Sequence, residues 1–203
     1  LRKEVKGEYK LGFQAIQGHT VAEVIKAYTQ KHPTNMVVMG SRGASTLKKA
    51  RMGGTTVSVI DDCEVPVMAI PEHAQYSNLQ KIVYASDLKN VAKELEILIE
   101  FATIFGSHIH MIHVTPAIDK KAEAAHLEIE EIIRKTKYSK LDFKVIIDDN
   151  IPSAIDQFIK ESNAELLTTF THHLSLFEKL FARSVTRTLA YLGTIPLLAL
   201  KRK

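Results

Sequence analysis

The chain repeats itself, and this repeat limits its fold more than any other feature. The apolar segment 65–70 reappears 130 residues later as segment 195–200, with Pro66 and Pro196 at the same place. The same offset, applied without a gap, pairs Phe13 with Phe143, Ile25 with Ile155, Ser45 with Ser175 and Thr56 with Thr186. Apolar positions match apolar positions throughout. We therefore expect two copies of one small unit.

The second copy alternates short apolar runs with longer amphipathic stretches, which is the pattern of βα units around a parallel sheet. Strands are expected at residues 81–85, 108–114, 141–147, 165–169 and 196–200. Helices are expected near residues 91–106, 122–137, 151–161 and 184–192. Gly106 is expected to end the first helix, and Pro152 to lie in the first turn of the third.

The first copy contains only the last three strands and the last two helices of this arrangement. Its strands are expected at residues 10–16, 36–39 and 67–70, and its helices at residues 21–31 and 55–62. Residue 1 corresponds to residue 131, so the counterparts of residues 79–130, with strands one and two, do not occur in it. We expect a partial domain at 1–74, whose N-terminal segment is missing, and a complete domain at 79–203. The two copies are expected to meet through their fifth strands or the neighbouring apolar surface, because sheet edges are usually covered.

Composition and charge exclude several classes of partner. The 203 residues are 45% hydrophobic and 25% charged, as in ordinary globular domains. No apolar run approaches the roughly 20 residues that a membrane span requires, so we expect a cytoplasmic protein with no membrane partner. The net charge of +4 comes from basic residues scattered among acidic ones, which does not indicate a nucleic-acid partner. The basic tail 201–203 is expected to be solvated surface or to make local phosphate contacts.

Glycines surround the end of the fourth strand of the first copy. The strand ends in Gly-Ser-Arg-Gly, and after nine further residues Gly-Gly-Thr-Thr begins a helix. Ligands of open parallel sheets bind beyond the carboxyl ends of the strands, and uncovered N–H groups at a helix N-terminus bind phosphate. The predicted phosphate contacts are Gly40, Ser41, Arg42, Gly43, Gly53, Gly54, Thr55 and Thr56. The alternative is a tight strand-to-helix connection with no ligand.

This glycine spacing after a hydrophobic strand resembles the ATP-binding signature of universal stress proteins, and the Val65-Pro66-Val67 strand that follows also fits. The resemblance covers the whole chain, once for each copy. It implies an α/β fold of two tandem open parallel-sheet domains with strand order 3-2-1-4-5, the first lacking its strands one and two. The sequence departs from the family pattern at Gly54, where the family usually has serine or threonine.

The two copies differ at the residues that the resemblance assigns to nucleotide binding. Asp87 follows the first strand of the second copy, where the family carries an acidic residue that contacts adenosine. The alternative for Asp87 is an N-cap of the following helix. Phe170 and His173 replace the two loop glycines in the second copy, and Ser184 remains there as a candidate contact. We expect the first copy to hold the phosphates, because these larger side chains are expected to take the space that phosphate needs.

The resemblance implies a tandem universal stress protein, a stress-response or regulatory protein that self-associates and binds ATP or AMP, with or without Mg²⁺. Catalysis is expected to be slow ATP hydrolysis at most, and no catalytic residue is assigned. Two alternatives stay open: a dimeric scaffold that binds no nucleotide, and an ATP-consuming hydrolase or transferase of related fold.

Histidines on the second strand raise the question of a metal site. His108 and His110 are two residues apart, so their side chains face the same side of a strand. No carboxylate or cysteine pattern in the sequence completes a ligand set. A metal site is therefore not predicted.

Overall fold

The computed structural model describes residues 10–41, 52–75, 77–117, 120–171 and 194–202. The strands are β1 (Val37–Gly40), β2 (Val67–Ile70), β3 (Lys81–Ala85), β4 (His108–Thr115), β5 (Leu141–Ile147), β6 (Leu166–Thr171) and β7 (Leu197–Lys201). The helices are α1 (Val21–Lys31), α2 (Gly54–Asp62), α3 (Val91–Phe105), α4 (Lys120–Lys135) and α5 (Ile151–Ser162). These described strands form one seven-stranded sheet in the order β1-β2-β7-β6-β3-β4-β5.

The sheet is parallel except where the two copies meet. Among the described strands, only β2 and β7 pair antiparallel, with Val67 opposite Ala199 and Ala69 opposite Leu197. The fifth strands of the two copies thus lie edge to edge, as the sequence predicted. This pairing joins the described strands into one continuous sheet.

The third strand predicted for the first copy, residues 10–16, is not a strand in the structure. Its apolar side chains are exposed, with Phe13 at 91% and Leu11 at 48%. A strand is stable only when its N–H and C=O groups find a neighbour. Within the described part of the chain, β1 pairs with β2 alone, so one edge of β1 is unpaired, and residues 10–16 do not pair with it.

The helices cover the sheet on two sides. Ile60 of α2 and Ile155 of α5 belong to one buried cluster, and Leu95 and Leu98 of α3 belong to the other. Successive strand residues point to opposite faces, which is why Ile82 lies in the second cluster while the next residue, Val83, lies in the first. Burying each such side chain contributes about 1.5–3 kcal/mol.

Most helix ends lie where local sequence signals predicted them. Gly106 ends α3 in the left-handed conformation at φ 65°, and its N–H donates to the carbonyl of Ala102. Pro152 lies in the first turn of α5, where the side chain of Asn150 accepts from the N–H of Ser153. The helix predicted at 184–192 lies outside the described residues. No helix in the described ranges is long and apolar enough to cross a membrane.

Candidate functional site

The predicted phosphate loop of the first copy is a junction between β1 and α2. The N–H of Gly53 donates to the carbonyl of Ser41 at 2.8 Å, and the N–H of Ser41 donates to the carbonyl of Ile70 at 2.8 Å. The hydroxyl of Thr56 donates to the carbonyl of Gly40 at 3.0 Å. The bonds of Gly53 and Thr56 hold the N-terminus of α2 beside the carboxyl end of β1, and the bond from Ser41 to Ile70 ties the end of β1 to β2.

The first turn of α2 is exposed at Gly54 and Thr55. Its N-cap, Gly53, supplies no side-chain hydrogen bond, and no acidic residue lies in the first turn of this helix, which is described in full. The first intrahelical bond runs from the N–H of Val57 to the carbonyl of Gly53 at 3.1 Å, so the N–H groups of Gly54 and Thr55 have no intrahelical acceptor. A Cβ placed on Gly54 meets nothing within 4 Å. Exposed N–H groups at the positive end of a helix can accept an anion.

The structure brings together six of the eight residues predicted for this loop. Gly40, Ser41, Gly53, Gly54, Thr55 and Thr56 all lie at the junction. Ser41 and Thr56 are buried, and the hydroxyl of Thr56 is used by the backbone, whereas Thr55 is exposed. Arg42 and Gly43 lie outside the described residues.

Asp87, the candidate adenosine contact of the second copy, forms a bidentate ion pair with Arg202. The two contacts are Nη2 to Oδ1 at 2.6 Å and Nη1 to Oδ2 at 3.2 Å. Oδ1 also accepts from the N–H of Lys89 at 3.1 Å. The N-cap reading of Asp87 was wrong, because Asn90 is the N-cap of α3.

Arg202 also contacts Glu94, which the sequence analysis missed. Arg202 Nε donates to one carboxylate oxygen of Glu94, and the hydroxyl of Tyr84 donates to the other. Only 6% of the Arg202 side chain and 2% of the Glu94 side chain are exposed, so the prediction of a solvated tail was wrong at Arg202. One signal could have found Glu94: it stands within the apolar stripe of α3, three residues after Val91 and four before Leu98.

Burial and ion pairing shift the carboxylate pKa values in opposite directions in the cluster of Tyr84, Asp87, Glu94 and Arg202. Burial raises the pKa of Asp87, but the hydrogen bonds and charge of Arg202 outweigh it, and the pKa is lowered. Burial also raises the pKa of Glu94, and here the hydrogen bonds from Tyr84 and Arg202 offset it only in part. For Tyr84, burial and the nearby Glu94 carboxylate together hold the pKa well above its usual value.

The cluster lies at the switch point of the parallel sheet. From β3, the chain continues into β4 on one side, whereas β6 lies on the other, and ligands of open α/β sheets bind beyond such a reversal. The N–H of Arg202 donates to the carbonyl of Thr171 at the end of β6, at 3.3 Å. Its guanidinium reaches Asp87, just beyond β3. Arg202 therefore spans the place where the second copy is expected to bind a ligand.

Phe170 does not act as the sequence analysis expected. Its side chain is 1% exposed and lies in the core, with its ring centroid 5.6 Å from that of Tyr84. It therefore does not take the space of a phosphate at the loop. His173 and Ser184 lie outside the described residues.

A second polar cluster lies on β4 and β5. His108 Nε2 and His110 Nδ1 both contact Oδ2 of Asp142, at 2.6 and 2.9 Å. The two histidines share a face of β4 as predicted, and Asp142 is the cross-strand neighbour of His110. The sequence analysis missed this carboxylate because only the pairing of β4 with β5 brings it near the histidines.

Comparisons with known proteins support the fold. Residues 13–71 match the Universal stress protein family, a span that includes β1, α2 and β2. No curated protein matches the chain significantly.

Three solved structures are similar to the chain. A universal stress protein from Archaeoglobus fulgidus DSM 4304 has a TM-score of 0.65 and 22% identity, with 89% of this chain and 65% of that chain covered. A putative universal stress protein from Pseudomonas aeruginosa UCBPP-PA14 has a TM-score of 0.59 and 16% identity, with coverage of 91% and 69%. A functionally unknown protein from Pseudomonas aeruginosa PAO1 has a TM-score of 0.58 and 16% identity, with 91% of this chain and 69% of that chain covered. The chain thus spans just under two thirds of the Archaeoglobus protein, and at these identities the likeness concerns the fold.

Proposed function

We propose that the chain is a tandem universal stress protein whose first copy binds an adenine nucleotide, ATP or AMP, at the β1–α2 junction and acts in a stress response or in regulation. The observation that carries this proposal is the open N-terminus of α2, fixed beside the carboxyl end of β1. The junction also lies within the residues that match the family.

The junction offers phosphate a binding surface made of backbone. The N–H groups of Gly54 and Thr55 and the positive end of the α2 dipole attract the negative charge, and the exposed hydroxyl of Thr55 adds a donor. Arg42 and Gly43 remain proposed contacts on the sequence pattern alone. No carboxylate stands among the described junction residues, 40–41 and 53–56, so we assign no protein ligand to a Mg²⁺ ion that accompanies ATP.

We propose that the nucleotide acts mainly as an effector. Ser41 is buried, and its carbonyl and N–H are used in backbone bonds, so we assign it no role as a nucleophile. Hydrolysis at this junction is therefore expected to be slow.

The second copy is proposed not to bind nucleotide in the same way. Its acidic residue, Asp87, already pairs with Arg202, and that guanidinium lies across the switch point of the sheet. A nucleotide that used Asp87 would have to displace a buried ion pair.

The decisive experiment compares Gly54→Asp with Ser58→Asp. Both positions are exposed on α2, and they are one turn apart. An acidic side chain at position 54 fits sterically and suits the helix dipole, so the fold should be kept and stabilised by about 0.3–1 kcal/mol. The same carboxylate takes the place of a phosphate. Titration calorimetry with ATP and with AMP, each with and without Mg²⁺, should show binding lost in Gly54→Asp and largely kept in Ser58→Asp.

Other outcomes would favour the alternatives. Absence of nucleotide from freshly purified protein, together with no thermal shift by ATP and Mg²⁺, would support a scaffold function and overturn the proposal. A substantial ATP turnover would support an enzyme. Binding that survives Gly54→Asp but is lost in Asp87→Asn would move the site to the second copy.

A further inference from the structure

We propose that His108, His110 and Asp142 form a binding site for a divalent transition-metal ion of the zinc class, on the face of the sheet that α5 covers. Two imidazoles and one carboxylate make up the donor set. The site is independent of the nucleotide site proposed above.

The backbone fixes the relative positions of the three side chains. Residues two apart on β4 point to the same face, and the register of β4 with β5 sets Asp142 directly opposite His110. Neighbouring strands lie about 4.7–4.9 Å apart, so side chains at paired positions on the same face are within reach of one shared ion. β4 is paired on both sides, by β3 and β5, so its two histidines lie on a well-supported strand.

The donor atoms already converge. Oδ2 of Asp142 lies 2.6 Å from His108 Nε2 and 2.9 Å from His110 Nδ1, and the three donor atoms all lie within 4.8 Å of one another. Zinc bonds of about 2.0–2.1 Å in a tetrahedral site separate the donor atoms by about 3.3 Å. The carboxylate and the rings therefore need to move apart by less than about 1 Å.

The proton balance of this exchange is simple. Without an ion, one carboxylate oxygen accepts a hydrogen bond from each ring, so both facing nitrogens carry protons. A neutral imidazole presents its lone pair to an ion once its proton is on the other ring nitrogen. The ion then replaces two hydrogen bonds without a net loss of protons.

Packing restricts the rings while leaving access for an ion. The His110 ring lies 4.5 Å from the His108 ring and 6.0 Å from the Phe158 ring of α5, centroid to centroid. This packing lowers the entropy lost when the ligands become ordered. The His108 side chain is 40% exposed and that of Asp142 is 49% exposed, so an ion can enter and water can fill its remaining positions.

The donor chemistry selects the class of ion. Imidazole ligands suit Zn²⁺, Ni²⁺ and similar ions, whereas Mg²⁺ and Ca²⁺ prefer sites made of oxygen. Lys144, two residues after Asp142 on β5, holds its Nζ 5.3 Å from the centre of the Phe158 ring. The cluster carries one net negative charge when both imidazoles are neutral, which favours a divalent cation.

The site is separated from the nucleotide junction by four strands. In the sheet order, β2, β7, β6 and β3 lie between β1, which Gly40 ends, and β4, which His108 begins, so at about 4.8 Å per strand the two places are on the order of 24 Å apart. Occupation of one site should therefore leave affinity at the other unchanged.

The test is titration calorimetry of the full, metal-free chain with ZnCl₂, repeated with MgCl₂. We expect one Zn²⁺ per chain and no Mg²⁺ bound. His110→Ala and Asp142→Asn should weaken Zn²⁺ binding by more than the 10–100-fold typical of losing a supporting residue. Added Zn²⁺ should raise the Tm of the wild-type chain and leave the Tm of both variants unchanged.

The control is the double variant His172→Ala/His173→Ala, which removes an adjacent histidine pair elsewhere in the sequence. It should keep wild-type Zn²⁺ affinity. The proposal is overturned if the wild-type chain does not bind Zn²⁺, if Asp142→Asn binds it as tightly, or if the double variant loses it. Circular dichroism of each variant, with Zn²⁺ absent, separates loss of binding from loss of fold.

Discussion

The carboxyl ends of β1 and β3 carry polar groups of different kinds. The junction of the first copy, residues 40–41 and 53–56, is held by backbone groups and one threonine hydroxyl, and Gly54 and Thr55 in the first turn of its helix are exposed. Beyond β3, in the second copy, lies the buried cluster of Tyr84, Asp87, Glu94 and Arg202. The first region offers backbone N–H groups to a ligand, whereas the second is filled by side chains that pair with one another.

The repeat shows one part of this difference. At the offset of 130 residues, the counterpart of Arg202 is Glu72, which is exposed. The first copy therefore has a carboxylate where the second has a buried guanidinium.

Removing the guanidinium should have the largest effect. Arg202→Ala leaves the Glu94 carboxylate buried without its cationic partner, which should cost about 3–5 kcal/mol of unfolding free energy at neutral pH. The loss should be smaller in acid, where Glu94 takes up a proton. Urea denaturation measures the change, and Arg134→Ala, at an exposed position of α4, should stay within about 0.5 kcal/mol of wild type. A cost below about 1 kcal/mol for Arg202→Ala would show that the cluster does not hold the second copy together.

The pH dependence of stability should separate the two carboxylates of the cluster. The pKa of Glu94 is raised in the folded protein because burial dominates, so the folded state binds its proton more tightly than the unfolded chain. The unfolding free energy of the wild-type chain, relative to that of Glu94→Gln, should therefore fall as pH rises from about 4.3 through the raised pKa of Glu94. Glu96→Gln, exposed on the same helix, is the control for loss of the charge. A relative stability that rises with pH in this window would contradict the assignment.

The contribution of Asp87 to stability should change with pH in the opposite direction. Burial raises its pKa, but Arg202 outweighs this and the pKa is lowered, so its contribution is fully present above about 3.9, the ordinary aspartate value. The advantage of wild type over Asp87→Asn should disappear as pH falls below that value. Parallel pH profiles for Asp87→Asn and Glu94→Gln would show that the two carboxylates are not held differently.

Local sequence signals predicted the helices and strands well because those signals lie within the elements. The apolar spacing of α3 and its terminal Gly106 required no knowledge of the rest of the chain. Residues 10–16 have an equally good strand pattern, but a strand depends on a neighbour that no local pattern supplies. The edge-to-edge contact of β2 and β7 was predictable because both segments are apolar and repeat each other.

The same distinction between local signals and contacts of distant residues applies to the candidate sites. The glycine junction could be found from sequence because its parts belong to one strand–helix connection. The partners of Arg202 could not, because Glu94 stands 108 residues before it and both carry charges that sequence reasoning places in solvent. Asp142 was missed for the same reason, since only the register of β4 and β5 places it opposite His110.

A modest loss of stability is expected when the Thr56 hydroxyl is removed from the β1–α2 junction. Thr56 is buried and donates to the carbonyl of Gly40, so Thr56→Val keeps the volume and removes one hydrogen bond, at a cost of about 0.5–1.5 kcal/mol. Thr55→Val, at the exposed neighbour, should change stability by no more than about 0.5 kcal/mol. Thermal denaturation of both variants gives the comparison. Equal costs would mean that the Thr56 hydroxyl does not hold α2 against β1.

The smallest expected effect concerns the contact between the copies. Lys201 of β7 donates from Nζ to the carbonyl of Asp61 in the last turn of α2, at 2.7 Å, so a cation from the second copy lies at the negative end of a helix in the first. Lys201→Met keeps most of the side-chain length and removes the charge, which should cost about 0.3–1 kcal/mol at low ionic strength. Because salt screens this attraction, the difference from wild type should shrink in 1 M NaCl. Lys93→Met, exposed on α3, is the matched control and should show no such salt-dependent loss. If Lys201→Met costs no more than Lys93→Met at low salt, the pairing of β2 with β7 joins the copies without help from this charge.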